Sequence, residues 1–125
     1  AAQADRGLIP LDLYHMWFDP EHGVRDVEIE ASVRDWLERL RAHGKIERWR
    51  LTRRKLGLGG DLPEWHVVVE VAGLAQLDEA FAVAARRSGP AEALHHGINA
   101  RVRNFKAALY RDFPDPVRKL GDEAF

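Results

Sequence analysis

The sequence predicts an α+β domain, one four-stranded antiparallel sheet with helices packed on a single face. Three observations predict it. At 125 residues the chain has room for one core and not two. Its apolar spacing switches between the two-residue period of strands and the three-to-four-residue period of helices, in the order β-α-β-β-α-(α)-β. No linker, internal repeat or low-complexity run divides it. Residues 11–111 therefore read as one domain, between an N-terminal extension, 1–10, and an extended C-terminal tail, 112–125.

The first segment, 11–18, crowds Leu, Tyr, Trp and Phe together. Asp19-Pro20 is expected to close it, because proline has no N–H to give to a ladder. From Val24 the period becomes helical, and Ile29, Val33, Trp36, Leu37 and Leu40 share one face. Asp26 is the expected N-cap and His43-Gly44 the stop. Residues 45–56 read as a second strand, in which Trp49 and Leu51 alternate with Arg48, Arg50 and Thr52. The glycine-rich segment 57–63 is a turn. A third strand over 64–72 sets Trp65, Val67, Val69 and Val71 on one side and His66, Val68 and Glu70 on the other. A second helix over 74–87 is expected to bury Leu77, Phe81 and Ala84. Ser88-Gly89-Pro90 ends it, and Pro90 suits the first turn of a third helix, 91–102, which packs through Leu94 and Ile98. The fourth strand is 105–110.

This order is the split βαβ arrangement of a ferredoxin-like sandwich, with an expected strand order of 4-1-3-2. Helices cover one face of such a sheet. The other face carries Trp17, Val68 and Tyr110, and a surface of that kind calls for a cover of its own.

Composition narrows the function classes. With 46% hydrophobic and 31% charged residues, the chain is globular and not disordered. Nineteen basic residues face twenty acidic ones, which argues against a nucleic-acid or acidic-membrane partner. The absence of cysteine excludes a disulfide scaffold, a thiolate metal site and a cysteine nucleophile. No run approaches the roughly 20 apolar residues of a membrane span, and residues 1–6 lack the apolar core of an intact signal peptide, with a cleaved one left open. A cytoplasmic location is expected because nothing in the sequence exploits an oxidising compartment. Four Trp and six His are a surplus for this length.

Element order, length and the aromatic first strand resemble the dimeric α/β barrel superfamily. In it two ferredoxin-like chains pack sheet against sheet around a cavity. The runs Asp12-Leu13-Tyr14-His15, Leu51-Thr52-Arg53-Arg54-Lys55-Leu56-Gly57 and Ala108-Leu109-Tyr110-Arg111-Asp112-Phe113-Pro114-Asp115-Pro116 resemble an uncharacterised bacterial branch of it. The resemblance implies a homodimer through the sheet face. It transfers no catalytic residue, because cofactor-independent monooxygenases, isomerases, haem-handling members and stress proteins of this superfamily share no motif.

Strand alternation selects the side chains of the inter-subunit cavity. His66 and Glu70 belong there from strand three, Arg50, Thr52 and Arg54 from strand two, and Lys106 and Tyr110 from strand four. Both faces of strand one are apolar. His15 and Trp17 are assigned to the cavity, because an unpaired imidazole is costly among packed helices. His15 and His66 are then the candidate catalytic pair, since imidazole titrates near neutrality and can move a proton of a bound phenol, enol or lactone. Arg50 or Arg54 would hold an oxyanion and Trp17 would supply a flat wall. His95 and Asn99, four residues apart, share a face of the third helix and are expected at the mouth of the cavity.

No metal ligand or cofactor is assigned. A His15–His66–His95 metal site and a haem ligand stand as alternatives. The basic stretch 45–55 has a plainer explanation than nucleic acid, since positive charge on an edge strand blocks edge-to-edge aggregation. The expectation is a homodimer that binds a small aromatic or anionic molecule, as a cofactor-independent monooxygenase or isomerase. A non-catalytic binding or stress-associated module, and a haem- or metal-binding protein, are the alternatives.

Overall fold

A computed structural model of the chain describes residues 12–86 and 89–115. The extension at 1–10 and most of the C-terminal tail lie outside them. Strand β1 (Asp12–Pro20) pairs antiparallel with both β3 (Trp65–Val71) and β4 (Val102–Arg111), while β2 (Arg48–Arg53) pairs with β3. The resulting order, β2-β3-β1-β4, is the expected one read from the opposite edge. Helices α1 (Asp26–Ala42), α2 (Leu74–Ala84) and α3 (Gly89–Asn99) complete the layer on one face.

The core lies between these layers. Strand β3 contributes Trp65, Val67, Val69 and Val71, all buried, and α1 contributes Ile29, Val33, Trp36, Leu37 and Leu40. From β1 Phe18 is buried, and Tyr14 and Met16 pack against the same cluster. The orientation of β1 thus follows the sequence expectation, with the alternate residues turned away from the helices.

Several boundaries differ, each for a local reason. Arg25, not Asp26, caps α1: its backbone is extended (φ −84°, ψ 156°) and its N–H donates to the Glu28 carboxylate at 2.8 Å. Asp26 is the first helical residue, and its carboxylate accepts from Arg53 instead, at 3.1 Å. Strand β1 continues through Asp19-Pro20, which pair with Arg103 and Val102. That pairing follows a register shift in β4 at Asn104, which adopts φ 55° and donates its side-chain amide to Asp19 at 3.0 Å. Asparagine is among the few residues that tolerate this conformation, and a bulge of this kind lets a ladder resume beyond it. It also hides the start of β4 from a period-two reading. Strand β2 is shorter than 45–56, because Ile46 turns into the core. Helix α2 buries Leu77 and Ala80, and Phe81 is 45% exposed, meeting Tyr14 edge-on at 5.4 Å.

A polar clamp joins α1 to β2. The Glu38 carboxylate accepts from the Trp49 indole N–H at 2.8 Å and from Arg41 at 2.7 Å. These bonds, Arg41 first, hold the Glu38 carboxyl down to about 2. A depressed carboxylate contributes stability that is complete above its ordinary value and is lost as pH falls through the folded one. The stability difference between wild type and Glu38→Gln is therefore expected to shrink as pH falls from about 5 to about 2. Urea titrations across that range check it; a constant difference contradicts the clamp.

Candidate functional site

The sheet divides the polar candidates between its two faces. On the open face, away from the helices, register places His66 beside Trp17 and Thr52, and Tyr110 beside Leu13. His15, one diagonal from His66 on the neighbouring central strand, brings its Nδ1 to 2.8 Å from His66 Nε2. With centroids 5.0 Å apart and planes within 16°, the two rings meet edge to edge and nearly coplanar. That is the geometry of one N–H···N hydrogen bond sharing a single proton.

Thr52 donates its hydroxyl to the His66 carbonyl oxygen at 3.3 Å, leaving Oγ1 to accept over a long 3.5 Å contact from His66 Nδ1. With His66 Nδ1 protonated in that contact, His66 Nε2 accepts and His15 Nδ1 donates, and the opposite tautomers satisfy the 2.8 Å bond with the roles exchanged. Trp17 lies nearly parallel to both imidazoles, at 5.6 and 5.1 Å, and Tyr110 stands edge-on to His15 at 4.6 Å. Burial lowers the pKa of His15. Burial, and then the charge of His15, lowers that of His66.

The charged candidates surround this cluster without joining it. Glu70 shares the face, but its carboxylate accepts from Arg48 at 2.7 Å across the β2–β3 pair. Arg50 pairs in register with Val68 on the same face and is exposed. Arg54 lies beyond the end of β2 and donates to the Leu62 carbonyl, so the structure does not bring it to the imidazoles. Lys106 reaches Asp61 at 3.8 Å.

His95 and Asn99 lie on the other side of the sheet. They share a face of α3, as their spacing requires, but that face looks into a cleft between α1, α3 and the helix side of β1, β3 and β4. The cleft measures about 400 Å³, and its remaining walls are apolar or aromatic, with Met16, Phe18, Trp36, Val67 and Phe105 among them. The His95 ring sits 5.1 Å from that of Trp36, and burial holds its imidazole below the ordinary range, with Glu92 pulling the other way. Phe105, 54% exposed, and Asn99 stand at the mouth. α3 thus closes a cleft within the chain, on the helix side of the sheet, and not a mouth on the open face. The expectation of one site holding all the candidates is corrected by this separation.

A His15–His66–His95 metal site is excluded by the same separation, and among the described residues no three His, Asp or Glu group together to hold a metal ion. No described helix is long and apolar enough to cross a membrane. Sequence reasoning missed Trp36 and Phe105 as cleft residues. Phe105 carried a signal, being a large apolar side chain on an edge strand.

Solved structures share this fold. A dimeric protein of unknown function with a ferredoxin-like fold from Bacteroides fragilis is 14% identical with TM-score 0.55, over 82% of this chain and 96% of that one. The hydroxynitrile lyase of Passiflora edulis is 11% identical with TM-score 0.64, over 83% and 94%. SnoaB, a cofactor-independent oxygenase from Streptomyces nogalater, is 11% identical with TM-score 0.59, over 81% and 90%. At these identities the likeness shows the fold, which is ferredoxin-like. No curated protein sequence matches the chain. A model of a family of unknown function, DUF6614, matches residues 11–125.

Proposed function

Since the chain belongs to DUF6614, a family described only as of unknown function, we propose from the geometry that it is a homodimer binding a small, largely apolar organic molecule in the cleft beneath α3. The cleft carries this reading. A volume of about 400 Å³ with apolar walls and two polar side chains, His95 and Asn99, has the make-up of a small-molecule pocket. Homodimerisation is supported by the aromatic open face and by the description of the Bacteroides fragilis neighbour as dimeric. His95, kept neutral by burial, is suited to take a proton from a bound phenol or enol, and Asn99 to bond the resulting oxyanion. That step would serve a cofactor-independent oxygenation or an isomerisation.

A second reading rests on the 2.8 Å His15–His66 contact. It places the reacting molecule between the subunits, with His15 and His66 moving the proton and Trp17, Tyr110 and Arg50 lining the site.

The probe 1-anilinonaphthalene-8-sulfonate, an aromatic anion, separates the two. Binding at one molecule per chain is expected, measured by fluorescence and calorimetry. Ile98→Trp, which fills the cleft, is expected to weaken it at least about tenfold, since a well-packed side chain leaves no room for a ligand. His15→Ala is expected to leave it unchanged. The reverse pattern selects the open face, and binding insensitive to both substitutions overturns the cleft.

A further inference from the structure

We propose that acid separates two copies of this chain, with the His15–His66 pair at the centre of the open sheet face as the proton-sensitive element; the inference rests on the dimer reading above.

The pair occupies β1 and β3, the two central strands, so it lies in the middle of the face and not on its rim. Trp17, Tyr110, Leu13 and Val68 give that middle an apolar and aromatic character, while Arg48, Arg50 and Lys106 flank it on the outer strands. An apolar centre with a charged rim is the layout of a protein interface. In an isologous contact the same patch serves both subunits, so docking the two faces brings both imidazole pairs into the buried centre.

The hydrogen bond between His15 and His66 holds one proton for two nitrogens. A second proton in that contact would set two N–H groups against each other across 2.8 Å and charge one ring, and charging both rings would bring two positive charges together there. Few acidic groups stand ready to absorb that charge. Glu70 already accepts from Arg48, Asp61 faces Lys106 on the rim, and Asp19 is engaged by Asn104 and the Glu64 N–H. The remaining neighbours are Thr52 from β2 and Tyr110 and Lys106 from β4. Burial already lowers the proton affinity of both imidazoles in the single chain, and a covering subunit deepens it. Protons therefore bind the separated chains more tightly than the docked pair, and lowering pH through the imidazole range favours separation.

Sedimentation velocity of the full chain at about pH 7.5, 6.5 and 5.5, at constant ionic strength, tests this. The dimer dissociation constant is expected to rise at least about tenfold from the highest pH to the lowest, as one net proton taken up per dissociation suffices to produce. The released monomer is expected to keep its far-ultraviolet circular dichroism. Variants carrying both His15→Gln and His66→Gln, which keep hydrogen-bonding groups but leave no titrating imidazole in the pair, are expected to remain dimeric across the range. A monomer at pH 7.5 overturns the dimer reading and this inference with it. A dimer whose dissociation constant does not move, or glutamine variants that separate in acid like wild type, overturn the switch alone. Unfolding in place of release overturns it as well.

Discussion

Trp36→Ala is expected to cost about 3–5 kcal/mol of stability and to abolish binding in the cleft. Trp36 is buried in the middle of α1, joins Val33, Leu37 and Leu40 in the core, and presents its ring to both the cleft and His95. Truncation removes the transfer free energy of the indole and leaves a void that α1 and β3 can close only in part. The existing cleft makes that void larger, which favours the upper end of the range. A domain of this size has on the order of 5–15 kcal/mol in total, so the variant is expected to be marginal at physiological temperature. Trp36→Phe, which keeps a ring against His95, is expected to retain the fold and weaken binding by less. Chemical denaturation checks both. In Trp36→Ala the His95 imidazole, freed from its apolar neighbour, is expected to titrate closer to its ordinary value, which proton NMR would follow. A cost below about 1 kcal/mol would mean that the ring is not part of the core.

The ease of reading this chain from its sequence varied with the range of the interaction. Period alone separated Trp65, Val67, Val69 and Val71 from His66 and Glu70, because a strand buried on one face shows its alternation directly. The stripe of α1 was equally plain, and all five residues on it are buried. The orientation of β1 could not come from period, since both its faces are apolar; the cost of an unpaired imidazole decided it, and His15 is indeed paired across to His66. The cleft was beyond reach. Its walls come from β1, α1, β3, α3 and β4, and its existence depends on how far α3 stands from α1, a tertiary distance that no local pattern encodes. The i, i+4 spacing of His95 and Asn99 gave their common face but not which side of the sheet that face would meet. The bulge at Asn104 was hidden for a related reason, because a single residue in an unusual conformation breaks the alternation used to find strands.

Arg111→Ala is expected to destabilise the fold by about 2–4 kcal/mol, through the carboxylate it leaves behind. Asp12 is 4% exposed, and Arg111, its register partner across β1 and β4, donates Nε and Nη2 to its two oxygens at 2.6 and 3.2 Å. The same guanidinium bonds Asp115 at 3.0 Å, fastening the end of β4 to the segment after it. Removing the guanidinium strands a charge at a site with little water, whereas removing Asp12 lets Arg111, 39% exposed, turn into solvent. The two single substitutions are therefore unequal. Asp12→Ala is expected to cost about 1–2 kcal/mol, as for a lost hydrogen-bonded partner whose mate can rehydrate. The double variant is expected to be more stable than the sum of the two, by a coupling of about 1–2 kcal/mol. Arg111→Lys tests whether charge or geometry matters. Lysine keeps the charge but presents no planar fork, so it is expected to recover less than half of the loss. A coupling below about 0.5 kcal/mol, or full rescue by lysine, would make this an ordinary surface pair, because exposed ion pairs contribute little and do not depend on bidentate geometry.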